Sequence, residues 1–176
     1  ASEYLQWYKQ KHKSIKNIKN SIYALPEING EDVKNYNIIG CPGCYPTSVL
    51  LPLIPLIKKN LIKTNNIIID SKSGYSGAGR SIHKKYKDKN LYESLSAYGV
   101  GFHRHNSEIQ QEIDTHSKDK FSFTFTPHLI PMFRGILTTI YVDLKKGSSI
   151  TMLQKTLNNE YSKKRFVKIL KTNSLL

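Results

Sequence analysis

The apolar positions of this chain change period several times, and each change marks an element. Val49, Leu50, Leu51, Leu53, Ile54, Leu56 and Ile57 crowd a helical face. They predict a buried helix ending near Lys59-Asn60, where lysines suit the negative end of the helix dipole. Ile67-Ile68-Ile69 is a short continuous apolar run and predicts a buried strand. Phe121, Phe123 and Phe125 alternate, as do Ile136, Thr138, Ile140, Val142 and Leu144, and both stretches predict half-buried strands. Ile150, Leu153, Leu157 and Tyr161 return to helical spacing behind Ser148 or Ser149 as cap. Ser107 to Gln110 reads as a capping box opening a helix with Ile109 and Ile113 on one face. Weaker signals predict a helix from Ser2 through His12, with Tyr4, Trp7 and Tyr8 near one face, and strands at Tyr36–Ile39 and Phe166–Leu170. Residues 21–37 read as irregular, with turn signals at Pro26 and Asn29-Gly30. This order of elements predicts an α+β fold, a mixed sheet with helices packed on one face.

Composition narrows the function classes. At 176 residues and 39% hydrophobic content the chain can bury a real core as one domain or a large part of one. No apolar run approaches the ~20 residues that span a bilayer, and Ser2–Lys13 is too polar for a signal peptide. With only two cysteines, the expected setting is reducing and cytoplasmic, with no membrane partner. The net charge of +14 raises nucleic-acid binding. Against it, Arg80, Arg104, Arg134 and Arg165 are the only arginines, and the lysines are scattered among Asn and Ile. No nucleic-acid partner is expected, although a positive field still attracts small anions.

The chemistry concentrates in Gly40-Cys41-Pro42-Gly43-Cys44-Tyr45-Pro46-Thr47-Ser48. It places Cys44 at the start of the predicted helix, where the dipole and unpaired N–H groups favour the reactive thiolate. Gly43 lets the backbone approach closely, and Pro46 suits a first helical turn. Alternatives stay open: Cys41 and Cys44 spell C-x-x-C, which also occurs in redox dithiols and zinc sites, and Cys44 could be an inert core residue. No second cysteine pair exists for zinc, and no metal is expected. Ser71 to Arg80 holds three serines and three glycines, an anion-friendly loop or a plain linker that matches neither dinucleotide nor phosphate-loop fingerprints. His103-Arg104-His105 precedes the capping box. A histidine at a helix N-terminus stays neutral and can accept a proton from a thiol, or it can be a surface residue. His128 is expected to be a packed strand-end residue.

Five segments together resemble the N-acetyl-gamma-glutamyl-phosphate reductase family. They are Tyr23–Glu27 (YALPE), Gly40–Ser48, Ser73–Arg80, Tyr98–Ile109 (YGVGFHRHNSEI) and Thr126–Thr138 (TPHLIPMFRGILT), in order over about residues 20–140. The resemblance implies a largely antiparallel sheet like the C-terminal domain of semialdehyde dehydrogenases and glyceraldehyde-phosphate dehydrogenase. It also implies NADPH-dependent reduction of N-acetylglutamyl 5-phosphate to N-acetylglutamate 5-semialdehyde and phosphate, in arginine biosynthesis. By that likeness Cys44 is the nucleophile and His103 the acid/base, and Arg104, His105 and Arg134 meet substrate charge. Ser73, Gly74, Ser76, Gly77, Ala78 and Gly79 would lie beside the reactive end of NADPH. Sister aspartate- or aminoadipate-type semialdehyde dehydrogenases are the nearest alternative, and a basic nucleic-acid- or anion-binding module is the alternative of another class.

Two departures from the family carry consequences. Cys41 stands where the family often has Asn, Val or another non-cysteine residue, so a Cys41–Cys44 disulfide would switch the enzyme off under oxidation. No glycine-rich dinucleotide fingerprint precedes Ser2, and the family's closing segment is missing after Leu176. Residues 1–176 are therefore expected to form the catalytic and substrate-binding domain, incomplete at both ends, with the dinucleotide-binding domain missing and the whole protein a homo-oligomer.

Overall fold

The fold was analysed in a computed structural model that describes residues 2–78 and 93–171. In chain order these form α1 (Ser2–Tyr8), α2 (Ile15–Ile18), β1 (Ser21–Tyr23), α3 (Pro26–Asn29), β2 (Ile38–Gly40), α4 (Cys44–Lys58), β3 (Ile67–Gly74), β4 (Ser96–Ala97), α5 (His105–His116), β5 (Phe123–Ile130), β6 (Ile136–Tyr141) and α6 (Ile150–Tyr161). Short 3-10 turns lie at Asp32–Asn35 and Tyr75–Ala78.

The main sheet has the order β4-β5-β3-β6 and is mixed, as the pattern predicts. Its central ladder is parallel, from Ile67 opposite Phe123 to Gly74 opposite Ile130. The two flanking pairings, β3 with β6 and β4 with β5, are antiparallel. The period of two turns Ile67, Ile69, Ser71 and Ser73 inward and Ile68, Asp70 and Lys72 outward. Burial follows that alternation: Ile67 and Ile69 are fully buried, whereas Ile68 is 50% exposed. Helix α4 covers the inner face and packs against α5, α6 and β6. Val49, Leu50, Leu53 and Ile54 meet Ile69, Ile109, Ile113 and Phe125 in one core.

Helix α4 carries Pro52 and Pro55 in its interior. Proline has no N–H, so Pro55 leaves the Leu51 carbonyl without its helical donor. The buried Tyr161 of α6 supplies one, its hydroxyl donating to that carbonyl at 2.6 Å. The helix that begins with Cys44 is thereby tied to α6 at the point where its own ladder fails.

Several expectations are corrected. Residues 21–23 form β1, which pairs in parallel with β2, Tyr23 lying opposite Gly40. Strand β3 runs on through Gly74, so Ser71, Ser73 and Gly74 are strand rather than loop. Their polarity misleads because the hydroxyls are satisfied internally, Ser71 Oγ lying 2.9 Å from Thr138 Oγ1. The capping box does not form: α5 begins at His105, and Ser107 sits inside its first turn, donating to the Arg104 carbonyl at 2.8 Å. Helix α1 stops at Tyr8, where Lys9 reverses the chain at φ 55. Residues 166–170 pair with no strand among the described residues, and Phe166 is left 84% exposed. Ser149 is the cap of α6, accepting from the Met152 N–H at 3.3 Å.

Candidate active site

Strand β2 delivers the chain into a turn of three residues, and Cys44 is the first residue of α4. Its thiol therefore sits at the positive helix end, beside amides that have no intrahelical acceptor. Both cysteines are free and exposed, which removes the reading of Cys44 as an inert core residue. The N-cap Gly43 is extended (φ −64, ψ 165), so Cys41 stands outside the helix rather than one helical turn before Cys44. Cys41 instead lines a cleft of about 310 Å³ with Tyr4, Tyr8, Tyr23 and Glu108. No disulfide joins Cys41 and Cys44 in this structure.

Glu108 organises the turn, and sequence reasoning gave it no role. Its Oε2 accepts the Gly43 N–H at 2.9 Å and the Tyr23 hydroxyl at 2.7 Å. Its Oε1 lies 3.8 Å from His105 Nε2. The only sequence signal was the H-x-x-E spacing from His105, which places both side chains on one helical face. Gly43 is a glycine for lack of room: a Cβ there would lie 2.6 Å from His105 Cε1 and 2.9 Å from its Cδ2. The His105 ring thus stands directly over the residue that precedes Cys44.

The two histidines form one aromatic cluster. Their ring centroids are 4.7 Å apart, and Tyr45 meets His103 edge-on at 5.6 Å and His105 at 5.8 Å. His103 Nδ1 accepts the His105 backbone N–H at 3.2 Å. Burial, helped by His105 and Arg104, pushes the His103 pKa down to about 4. Burial also lowers that of His105. Both rings are neutral at neutral pH. With Nδ1 accepting, neutral His103 carries its proton on Nε2 and presents a donor there. Tyr45 itself is buried, which raises its phenol pKa, and its hydroxyl pairs with Tyr98 Oη at 2.9 Å and with Ser73.

The serine and glycine segment divides in two. Ser73 is buried and donates to the Gly74 carbonyl at 3.0 Å. Gly74 is pressed against residues 132–134, where a Cβ would come within 2.9 Å of backbone atoms. Tyr75 and Ser76 donate their N–H groups to the carbonyls of Met132 (2.9 Å) and Phe133 (3.0 Å). Ser73 and Gly74 are thus spent on scaffold contacts, while Ser76 and Gly77 are exposed. Ala78 ends the 3-10 turn, and Gly79 lies outside the described residues. Ser76 and Gly77 are therefore the part of the segment left open at the surface. Arg134 is brought to the same loop, its guanidinium 5.1 Å over the Phe133 ring, which meets Tyr75 at 5.3 Å. Arg104 instead stacks 5.2 Å over Tyr8 of α1. His128 is packed but sits within β5 rather than at its end, its Nδ1 3.1 Å from Asp70 Oδ1 on the outer sheet face. Among the described residues no three His, Cys, Asp or Glu side chains converge as a metal site requires.

An exposed cysteine opens a helix, His105 packs on the glycine before it with His103 beside that ring, and the whole stands on a mixed sheet; sequence comparison gives the class. The profile of the family described as "Semialdehyde dehydrogenase, dimerisation domain" matches residues 44–176, and the chain belongs to that family. Within it, the chain is 47% identical over 173 residues to the probable chloroplastic N-acetyl-gamma-glutamyl-phosphate reductase of Arabidopsis thaliana, covering 96% of this chain and 42% of that protein. It is 42% identical over 175 residues to the N-acetyl-gamma-glutamyl-phosphate reductase of Clostridium novyi (strain NT), covering 97% and 50%. The chain spans about half the length of the curated relatives it matches or somewhat less. Among solved structures, aspartate semialdehyde dehydrogenase II complexed with ASA from Vibrio cholerae shares the fold, with a TM-score of 0.61 at 16% identity over 81% of this chain and 50% of that one. The likeness read from the five segments is borne out.

Proposed function

We propose that residues 1–176 are the catalytic and substrate-binding domain of an NADPH-dependent N-acetyl-gamma-glutamyl-phosphate reductase of arginine biosynthesis. The observation that carries the reading is an exposed Cys44 at the positive end of α4, with His105 packed over the preceding Gly43 and His103 beside it. Relatives named for that activity support it.

In this reading the Cys44 thiolate attacks the acyl-phosphate carbonyl. A carbon–sulfur bond forms, the carbon–oxygen bond to phosphate breaks, and phosphate leaves with the electron pair, giving a thioester. NADPH, when bound, supplies the hydride that turns the thioester into the aldehyde and releases Cys44 as thiolate. His103 is the acid/base: its Nε2–H stabilises the carbonyl oxygen as negative charge builds, a neutral donor that gives up its proton reluctantly. His105 and Arg134 meet the carboxylate and phosphate of the substrate. Arg104 joins them once its stack on Tyr8 opens. Ser76 and Gly77 contact the reactive end of the cofactor, whose remaining contacts come from a dinucleotide-binding domain.

Partners and setting belong to the same proposal. Phe102 (75% exposed) and Phe133 (54%) lie on the segments that carry His103 and Arg134, apolar surface suited to a cofactor domain. On the outer sheet face Ile68, Leu137 and Tyr141 are all at least half exposed, and that face is where a second copy packs in the homo-oligomer. Among the described residues no helix is long and apolar enough to cross a membrane. Two free, exposed cysteines suit the reducing cytoplasm.

The test is direct. Iodoacetamide labelling with peptide mapping should modify Cys44 ahead of Cys41 at neutral pH. In the full-length enzyme Cys44→Ser should abolish reductase activity while Cys41→Ser keeps most of it. Preferential labelling of Cys41, or an active Cys44→Ser enzyme, would overturn the assignment.

A further inference from the structure

Tyr23 opens the Y-A-L-P-E segment, and the mechanism above gives it nothing to do. Its backbone and its side chain grip the two ends of the cysteine turn. Along the backbone, Tyr23 pairs with Gly40, and the Ala24 N–H donates to the Gly40 carbonyl at 2.9 Å. At the other end its hydroxyl donates to Glu108 Oε2 (2.7 Å), the atom that also accepts the Gly43 N–H (2.9 Å). Burial, and then the Glu108 contact, push the Tyr23 phenol well above its ordinary pKa, so it stays a donor throughout the working range.

We propose that Tyr23 is a positioning residue: its hydroxyl fixes the Glu108 carboxylate so that the same carboxylate oxygen pins the Gly43 amide beside Cys44 and the carboxylate is held off His105. The inference rests on Cys44 being the nucleophile but adds a separate claim about what holds the turn. Without the phenol, Glu108 has one donor fewer on Oε2 and is free to turn toward His105. The charged and polar groups that face His105 are Glu108, Arg104, His103 and the Tyr45 ring. Of these Glu108 alone favours the protonated ring, so its approach raises the His105 pKa.

The experiment compares wild type with Tyr23→Phe, Glu108→Gln and the double variant. Tyr161→Phe is the control, because it removes a different short phenol hydrogen bond, one to a backbone carbonyl of α4. The readouts are the His105 ring titration by NMR and the iodoacetamide rate constant of Cys44 at fixed pH, with near-ultraviolet circular dichroism reporting the fold. Tyr23→Phe should raise the His105 midpoint by about 0.5 unit and slow Cys44 alkylation about threefold or more. Tyr161→Phe should do neither. Once Glu108 is Gln, removing the phenol should leave His105 where it was. A His105 titration unmoved by Tyr23→Phe, or an effect that persists undiminished in the Glu108→Gln background, overturns the proposal. A wild-type Cys44 that fails to react ahead of Cys41 would instead sink the catalytic reading and leave the Tyr23 linkage standing on the His105 titration.

Discussion

Removing the Tyr161 hydroxyl should destabilise the protein by an amount set by Pro55, and the dependence can be measured. In an ordinary helix the amide of residue 55 would donate to the Leu51 carbonyl, but proline has none to give. The Tyr161 hydroxyl takes that place at 2.6 Å, and Tyr161 is only 2% exposed. Tyr161→Phe keeps the ring and its packing and strands the carbonyl. Leaving such a group without a partner costs about 1–3 kcal/mol. For a domain of this size ~2 kcal/mol lowers the midpoint of thermal unfolding by about 4–8 °C. Pro55→Ala restores the missing N–H to the same carbonyl. In that background Tyr161→Phe should cost well under half as much, since the carbonyl then has its helical donor. The assay is urea or thermal unfolding of the four proteins of the cycle, followed by circular dichroism. Equal costs of Tyr161→Phe in the wild-type and Pro55→Ala backgrounds would refute the reasoning, because the hydroxyl would then be stabilising something other than the orphaned carbonyl.

Gly43→Ala should displace the His105 ring, since the new Cβ has no space against it. The expected result is roughly tenfold slower Cys44 alkylation with near-normal secondary structure, and an unchanged rate would show that the ring yields freely. Acid stability follows from the buried histidines. His103 is depressed from 6.5 to about 4, and burial lowers His105 and His116 as well. The unfolded chain therefore binds protons that the folded one refuses. Their contribution is complete above about pH 6.5 and is lost as the pH falls toward 4, which urea unfolding from pH 7.5 to 4.5 should show as a steady decline. His103→Asn should flatten part of that decline, and a wild-type stability independent of pH over this range would contradict the burial of the rings.

How much of this was legible in the sequence depends on how locally each feature is determined. Helix α4, strands β5 and β6 and helix α6 were readable because their faces meet one core, and burial on one face writes its period directly into the chain. Strands β1 and β4, three and two residues long, carry no period. They exist because a partner strand lies alongside, which is information held elsewhere in the sequence. Ser71 and Ser73 were misread for the opposite reason, since polar residues signal a loop only when water, rather than Thr138 or the Gly74 carbonyl, satisfies them.

The site shows the same division more sharply. Cys44 and the two histidines were singled out in the sequence, the cysteine from its place before a helix and the choice of His103 from family likeness alone, and the structure gathers His103 and His105 beside the turn that carries Cys44. Glu108 was passed over because the nearest pattern, the capping box, offered Ser107 and Gln110 a local role that left Glu108 none. The real contest was between that cap and a carboxylate facing two donors, 65 and 85 residues away in the chain. Hydrogen bonds to a charged carboxylate are stronger than those of a neutral serine cap, and α5 starts two residues before Ser107, with Arg104 at its N-cap and no side-chain cap bond. The helix forgoes its local signal, and the carboxylate it presents is the one that joins β1, the cysteine turn and His105. A reading that asks only which residues can do chemistry singles out the candidate nucleophile and misses this hinge of the site. Asking where each unpaired backbone N–H of the cysteine turn finds its acceptor leads straight to Glu108.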